Sequence, residues 1–140
     1  GPGTGVITRE ILAKMKPACK LLVFELHRPF FQELQKEFKD NEQVILVNDN
    51  AEKLAQYLDN YQLGKADNII SSLPLANFDK TLLDHLLKAC YEHLKNEGKF
   101  IQFQYSLATK KTLRNYFPII EMNFTSMNIP PAFIFTCSKK

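Results

Sequence analysis

The chain has 140 residues, of which 45% are hydrophobic, and these values predict one domain with a buried core. Its net charge of +3 is too small to indicate a nucleic-acid partner by itself. No apolar run approaches the roughly 20 residues that a transmembrane helix needs, which argues against a membrane-spanning protein.

The three cysteines are Cys19, Cys90 and Cys137. They are far apart, odd in number and without the spacing of metal ligands, so no metal site is predicted. We expect buried free thiols in a reducing compartment, which favours a cytoplasmic protein.

The first half of the chain opens with the glycine-rich segment GPGTG and then alternates between helical and strand patterns. A continuous apolar run such as KLLVFEL is typical of a buried parallel strand, and Pro29 suits the first turn of a helix. The predicted elements are, in chain order, a helix over 6–15 that ends before Pro17, a strand over 20–26, a helix over 29–38, a strand over 43–49 and a helix over 51–61.

The second half continues the alternation and ends in two β-rich runs. Gly98 is predicted to close a long helix in a left-handed cap, and the segment NIPP (128–131) to form a hairpin turn. This pattern predicts an α/β fold whose parallel sheet is covered on both faces and ends in an antiparallel pair. The predicted elements are a strand over 66–73 ended by Pro74, a helix over about 79–95, a strand over 99–106, a helix over 109–116, and strands over 119–127 and 132–138.

Candidate ligand-binding residues follow the predicted strands. Glu25 ends the first strand, 20 residues beyond Gly5, where a carboxylate can accept hydrogen bonds from both hydroxyls of a ribose. Asp49 ends the second strand, and Ser71–Pro74 end the third. Each feature alone also fits an ordinary turn, a solvated charge, a helix N-cap or a strand terminator. Because ligands of doubly wound sheets bind beyond the strands' carboxyl ends, the features together favour an adenosine-containing ligand.

Two adenosine-containing cofactors suit a glycine loop of this kind. The dinucleotide fingerprint G-x-G-x-x-G requires a third glycine where this chain has Val6. The residues at Asp49 and in the Ser-Leu-Pro segment have no role in that fingerprint. S-adenosylmethionine is therefore favoured over a nicotinamide cofactor.

Across these motifs, essentially the whole chain resembles class I S-adenosylmethionine-dependent methyltransferases. The segments SSLPLANF, GKFIQFQYS and NIPPAFIF further resemble bacterial phospholipid N-methyltransferases, which convert phosphatidylethanolamine stepwise into phosphatidylcholine. The segment SLPL is also similar to the Asn-Leu-Pro-Tyr signature of the rRNA adenine dimethylase-like superfamily, but Ser72 replaces the asparagine and Leu75 the tyrosine. These replacements weaken an RNA interpretation, because the amide that binds the target amine and the ring that stacks on the base are both absent.

The resemblance implies a Rossmann-like fold with strand order 3-2-1-4-5-7-6, in which strand 7 is antiparallel. The run over 20–26 would be strand 2, and strand 1 would precede Gly1. We therefore expect residues 1–140 to form a single S-adenosylmethionine-binding domain that is truncated at its N-terminus, and a fragment of this kind can be inactive.

The resemblance also implies two sets of site residues and no metal ligand. The set implied at the methyl acceptor is Ser71, Ser72, Leu73, Pro74 and Tyr105. Of these residues, Tyr105 fits equally well as a half-buried aromatic of the sheet. The set implied at the cofactor is Gly1, Pro2, Gly3, Thr4, Gly5, Glu25, Leu26, His27, Asp49, Asn50 and Ala51.

The implied function is N-methylation of phosphatidylethanolamine or a related phospholipid, in the cytoplasm or on the inner face of a membrane. The basic segment Lys110–Arg114 fits either contact with lipid phosphate or a solvated helix face. Alternatives that stay open are an rRNA adenine N6-methyltransferase, a methyltransferase with another acceptor such as a protein, and a non-enzymatic S-adenosylmethionine-binding module. A nucleic-acid partner is less favoured, because the sequence has no basic cluster interleaved with aromatic residues.

Overall fold

The computed structural model describes residues 1–125 and 132–140. Within it the chain divides into two compact units, Gly1–Ala51 and Glu52–Lys140. The predicted NIPP turn lies outside the described residues.

The first unit contains two helices and two strands. Helix α1 covers Val6–Lys14, β1 covers Leu21–Phe24, α2 covers Arg28–Phe38 and β2 covers Val44–Val47. Strands β1 and β2 pair in parallel, from Leu21 opposite Val44 to Phe24 opposite Val47. The buried side chains Val23, Leu34 and Val47 form the centre of its apolar core.

The second unit is built on a four-stranded sheet. Its helices are α3 (Leu54–Asn60), α4 (Lys80–His93) and α5 (Lys110–Arg114), and its strands are β3 (Ala66–Ser71), β4 (Leu94–Gln104), β5 (Ile119–Thr125) and β6 (Ala132–Ser138). Short 3₁₀ turns cover Ala51–Lys53 and Leu75–Asn77. The strand order is β3-β4-β6-β5, in which β3 and β4 are parallel and β6 is antiparallel to both of its neighbours.

The strand order confirms the expected fold class. The pair β2-β1 corresponds to strands 3-2 of the expected order, and β3-β4-β6-β5 corresponds to 4-5-7-6 with strand 7 antiparallel. Among residues 1–125 and 132–140, no strand corresponds to strand 1.

The expectation for Gly98 is wrong. Gly98 is not among the described residues with positive φ, and it lies inside β4 rather than at a helix end. Helix α4 ends earlier, at His93, because the fully buried Leu94 begins the strand and pairs with Ala66. A Cβ atom at position 98 would lie 2.7 Å from the carbonyl oxygen of Asp67, so a close approach of two backbones requires the glycine.

The expectation of buried thiols holds for two of the three cysteines. Cys90 and Cys137 are buried, and burial raises the pKa of each thiol to about 12. Cys19 is exposed, since it lies in the connection between α1 and β1, outside the core of the first unit.

Candidate functional site

The buried carboxylate of Glu25 organises the candidate site in the first unit. Glu25 follows β1 and is 6% exposed. Its Oε2 accepts the backbone N–H of Gly3 at 3.1 Å, and its Oε1 accepts that of His27 at 2.8 Å. A carboxylate has about four lone-pair positions, so Glu25 can accept hydrogen bonds beyond these two. This arrangement fits the pair of hydroxyls of a ribose.

The glycines of the opening loop have different physical roles. Both Gly3 (φ +54°) and Gly5 (φ +83°) have the left-handed conformation that favours glycine. A Cβ atom at Gly5 would lie 2.7 Å from Cδ2 of Leu34 in α2, whereas one at Gly3 would meet no atom within 4 Å. Gly5 is therefore required by packing, and Gly3 leaves space through which a ligand can approach the main chain.

The N–H groups of these two glycines are already donated within the protein. Gly5 donates to the carbonyl oxygen of Pro2 at 3.0 Å, and Gly3 donates to Glu25. These glycines can therefore allow a ligand to approach the main chain closely, but their N–H groups do not supply new hydrogen bonds to it.

Asn48 connects the ends of β1 and β2, and it was not predicted from the sequence. Its Nδ2 donates to the carbonyl oxygens of Glu25 at 2.7 Å and Leu26 at 3.2 Å. Asp49 follows directly, and its Oδ1 accepts the N–H of Asn50 at 2.7 Å. The sequence signal for Asn48 was its amide side chain at the end of a parallel strand, one residue before the predicted binding residue Asp49.

The remaining predicted cofactor residues of the first unit lie beside these groups in the chain. Leu26 is 68% exposed. His27 is also exposed, and its ring lies 4.7 Å from that of Phe30. Asn50 and Ala51 are half-buried, as are Pro2 and Asp49, whereas Gly1 and Thr4 are exposed.

The predicted acceptor segment Ser71–Pro74 in the second unit is held by side chains of β3 and β4. Ser71 is buried, and its Oγ accepts the N–H of Leu73 at 3.3 Å. The Leu73 carbonyl oxygen accepts from Nε2 of Gln102 at 3.0 Å and from the N–H of Leu75 at 2.8 Å. A carbonyl oxygen has two lone pairs, so that of Leu73 is fully used. Pro74 is exposed, and Ser72 is half-buried.

Tyr105 lies just beyond the end of β4. It is 60% exposed, and its ring meets that of Phe103 edge-on at 5.5 Å. This exposure differs from that of a half-buried sheet aromatic and leaves the hydroxyl accessible.

The buried side chain of Gln102, which contacts the predicted acceptor segment, was also missed. Gln102, Gln104 and Thr109 are all at most 5% exposed, and the Thr109 hydroxyl donates to Oε1 of Gln104. The structure thus brings together Gly3, Glu25 and His27 in one unit. In the other it brings together Ser71, Leu73 and Gln102. The convergence of both sets on one crevice stays a prediction.

No group of three or more His, Cys, Asp or Glu side chains in residues 1–125 and 132–140 is placed to hold a metal ion. No helix in the same ranges is long and apolar enough to cross a bilayer.

Residues 21–138 match a model of the spermine/spermidine synthase domain. The chain belongs to this family. The match includes both Glu25 and the Ser71–Pro74 segment.

One relative of this chain is the ornithine lipid N-methyltransferase of Singulisphaera acidiphila. The two sequences are 28% identical over 138 residues, which cover 98% of this chain and 72% of the relative.

Solved methyltransferase structures share the fold. The precorrin-6y C5,15-methyltransferase of Geobacter metallireducens has a TM-score of 0.74 and 17% identity, covering 100% of this chain and 77% of that one. An S-adenosylmethionine-dependent O-methyltransferase of Thermotoga maritima has a TM-score of 0.70 and 15% identity, covering 99% of this chain and 57% of that one. Together the comparisons confirm the predicted enzyme class, an S-adenosylmethionine-dependent methyltransferase, and its cofactor.

We expect Glu25→Gln to weaken S-adenosylmethionine binding by about 1–3 kcal/mol, roughly 5- to 150-fold in Kd. The amide loses the charge and turns one N–H donor toward the backbone N–H groups that the carboxylate accepts. Isothermal titration calorimetry measures the change. Glu37→Gln is the matched control, because Glu37 forms an exposed salt bridge with Arg9 at 2.9 Å. Equal affinity of the Glu25 variant and the wild type would contradict the ribose assignment.

Alanine at the two glycines is expected to separate packing from binding. Gly5→Ala should lower the free energy of unfolding by about 1–3 kcal/mol, because Gly5 has a positive φ and the added Cβ forces the buried Leu34 side chain to shift. Gly3→Ala should cost less stability but weaken S-adenosylmethionine binding, since its Cβ enters the open side of the loop. Urea unfolding and calorimetry measure the two effects, and the reverse ranking would refute the distinction.

Proposed function

We propose that the chain is an N-methyltransferase that transfers the methyl group of S-adenosylmethionine to the amine of a membrane lipid. The observation that carries the proposal is the similarity to an ornithine lipid N-methyltransferase over 98% of the chain. The candidate acceptors are the amine of an ornithine lipid and that of phosphatidylethanolamine.

In this proposal the first unit supplies the cofactor contacts. Glu25 accepts hydrogen bonds from the ribose hydroxyls, and the open side of Gly3 admits the methionine portion. Leu26 and His27 lie against the adenine, while Asp49, Asn50 and Ala51 meet its amino edge. When bound, the cofactor supplies an electrophilic methyl group on a sulfonium sulfur.

The second unit supplies the acceptor contacts. Because the Leu73 carbonyl oxygen already accepts two hydrogen bonds, orientation of the amine falls to the Ser71 hydroxyl and to Ser72. The Tyr105 hydroxyl is accessible to the amine or the phosphate of the lipid. In that position the neutral amine would be aligned with the methyl group of a bound cofactor, whose transfer would move positive charge from sulfur to nitrogen. Burial of the amine favours its neutral form, and alignment contributes the acceleration.

The surface around α5 supports a lipid substrate. Lys110, Lys111 and Arg114 form no salt bridge with any residue in the described ranges, and Arg114 and Lys111 are exposed. The loop before α5 carries the exposed apolar side chains of Tyr105 and Leu107. Basic side chains near an anionic membrane each contribute about 1 kcal/mol of attraction, and tyrosine suits the interface between lipid and water.

The rRNA adenine alternative receives less support from the acceptor segment. Leu75, at the position of the tyrosine in the dimethylase signature, is 1% exposed and packs in the core of the second unit. It therefore offers no face on which a base can stack.

The acceptor is tested by incubating the full chain with methyl-labelled S-adenosylmethionine and one substrate at a time. The substrates are vesicles containing an ornithine lipid, vesicles containing phosphatidylethanolamine, anionic vesicles without a free amine, rRNA, and spermidine. We expect label in the organic phase only with the two amino-lipid vesicles, and the faster of these identifies the acceptor. Label in rRNA or spermidine, with none in either amino lipid, would exclude lipid methylation.

The membrane contact is tested with a triple variant, Lys110→Gln, Lys111→Gln and Arg114→Gln. We expect at least a 10-fold loss of co-sedimentation with anionic vesicles, because about 1 kcal/mol is lost for each cation. A variant with Lys36, Lys65 and Lys80 changed to Gln removes the same charge from other exposed positions and serves as the control. Equal losses in both variants would show that net charge, rather than α5, determines binding.

A further inference from the structure

Gln102 connects β4 to the acceptor segment after β3. Its side chain is completely buried, and Nε2 donates to the carbonyl oxygen of Leu73 at 3.0 Å and to that of Phe103 at 3.0 Å. Ser71 is the register partner of Gln102 in the parallel pair β3-β4, so both side chains lie on the same face of the sheet. The glutamine therefore reaches the segment from directly beside the serine.

Both backbone polar groups of Leu73 form hydrogen bonds. Its N–H donates to Oγ of Ser71 at 3.3 Å, and its carbonyl oxygen accepts from Gln102 and from the N–H of Leu75. Two side chains from neighbouring strands thus determine the conformation of the residue that follows Ser72. A segment restrained in this way presents its neighbouring hydroxyls in one arrangement.

The glutamine at position 102 carries a local cost in stability. Its Oε1 is buried and has no hydrogen-bond partner in the described part of the chain. An unsatisfied buried carbonyl group is costly, and an apolar side chain of similar size would avoid that cost. The register neighbour on the other side, Phe135, is fully buried, so the surroundings would accept such a side chain. A local cost of this kind is expected where function, rather than packing, selects the residue.

We propose that Gln102 is a positioning residue that fixes the Leu73 carbonyl group, so that Ser71 and Ser72 face the methyl acceptor. This inference rests on the proposed N-methyltransferase function. Gln102 contacts the segment and not the acceptor, so it acts through the serines.

The experiment compares Gln102→Met with the double variant Gln104→Met, Thr109→Val. Gln104 lies two residues further along the same strand and is also buried, but its partner is Thr109 in the connection to α5. Amide hydrogen exchange followed by NMR reports on the segment without any methyl acceptor. We expect Gln102→Met to speed exchange of the Leu73 and Leu75 amides at least 10-fold, with an unfolding midpoint equal to or above that of the wild type. The control should leave both amides unchanged.

Steady-state kinetics then test the consequence for catalysis. We expect Gln102→Met to lower kcat 10- to 100-fold while the KM for S-adenosylmethionine stays within twofold, and the control to retain kcat within threefold. Gln102→Glu adds a pH readout, because only the protonated acid can donate to Leu73. Its kcat relative to that of the wild type should rise as the pH falls.

Unchanged exchange at Leu73 and Leu75 in Gln102→Met would overturn the inference, whatever the activity. Faster exchange with wild-type kcat would overturn it as well. If the acceptor proves not to be a lipid, the proposed function fails, and the same kinetic comparison on the true acceptor decides the role of Gln102.

Discussion

The candidate cofactor site depends on one interaction, the acceptance of two backbone N–H groups by the buried carboxylate of Glu25. A buried carboxylate is costly unless hydrogen bonds compensate the loss of water. The N–H groups of Gly3 and His27 supply part of this compensation and connect the opening loop to the end of β1. Because a carboxylate can accept more than two hydrogen bonds, the interaction that holds the loop is compatible with the predicted binding of a ribose diol.

Much of the fold could be predicted, because its elements are short apolar runs separated by prolines and glycines. Strands β1 and β2 lie within the predicted runs, and the Asp79 side chain caps α4 by accepting the N–H of Leu82 at 3.0 Å. Gly98 could not be interpreted correctly, because sequence does not distinguish a glycine needed for positive φ from one needed for a close approach. The required neighbour, Asp67, belongs to another strand.

Candidate site residues could be predicted where the residue type itself indicates the chemistry. They were missed where the proposed role depends on a partner that is distant in the sequence. The alternation in KFIQFQYS resembles a strand with one polar, solvent-facing side, yet Gln102 and Gln104 are buried. The proposed role of Gln102 depends on its hydrogen bond to the Leu73 carbonyl oxygen, 29 positions away in the sequence. Likewise, the glycines of the opening loop look alike in sequence, and only the position of Leu34 separates Gly5 from Gly3.

The composition of the acceptor segment agrees with the charge balance of amine methylation. Positive charge moves from sulfur to nitrogen during the transfer, so the total charge is conserved and a strong counter-charge gains little. The segment Ser71–Phe78 contains no charged residue, and the buried side chain that supports it, Gln102, is a neutral amide. Neutral hydrogen-bonding groups can orient an amine without stabilising its protonated, unreactive form, whereas a carboxylate there would favour that form. A neutral, restrained segment is therefore compatible with the proposed amine methylation.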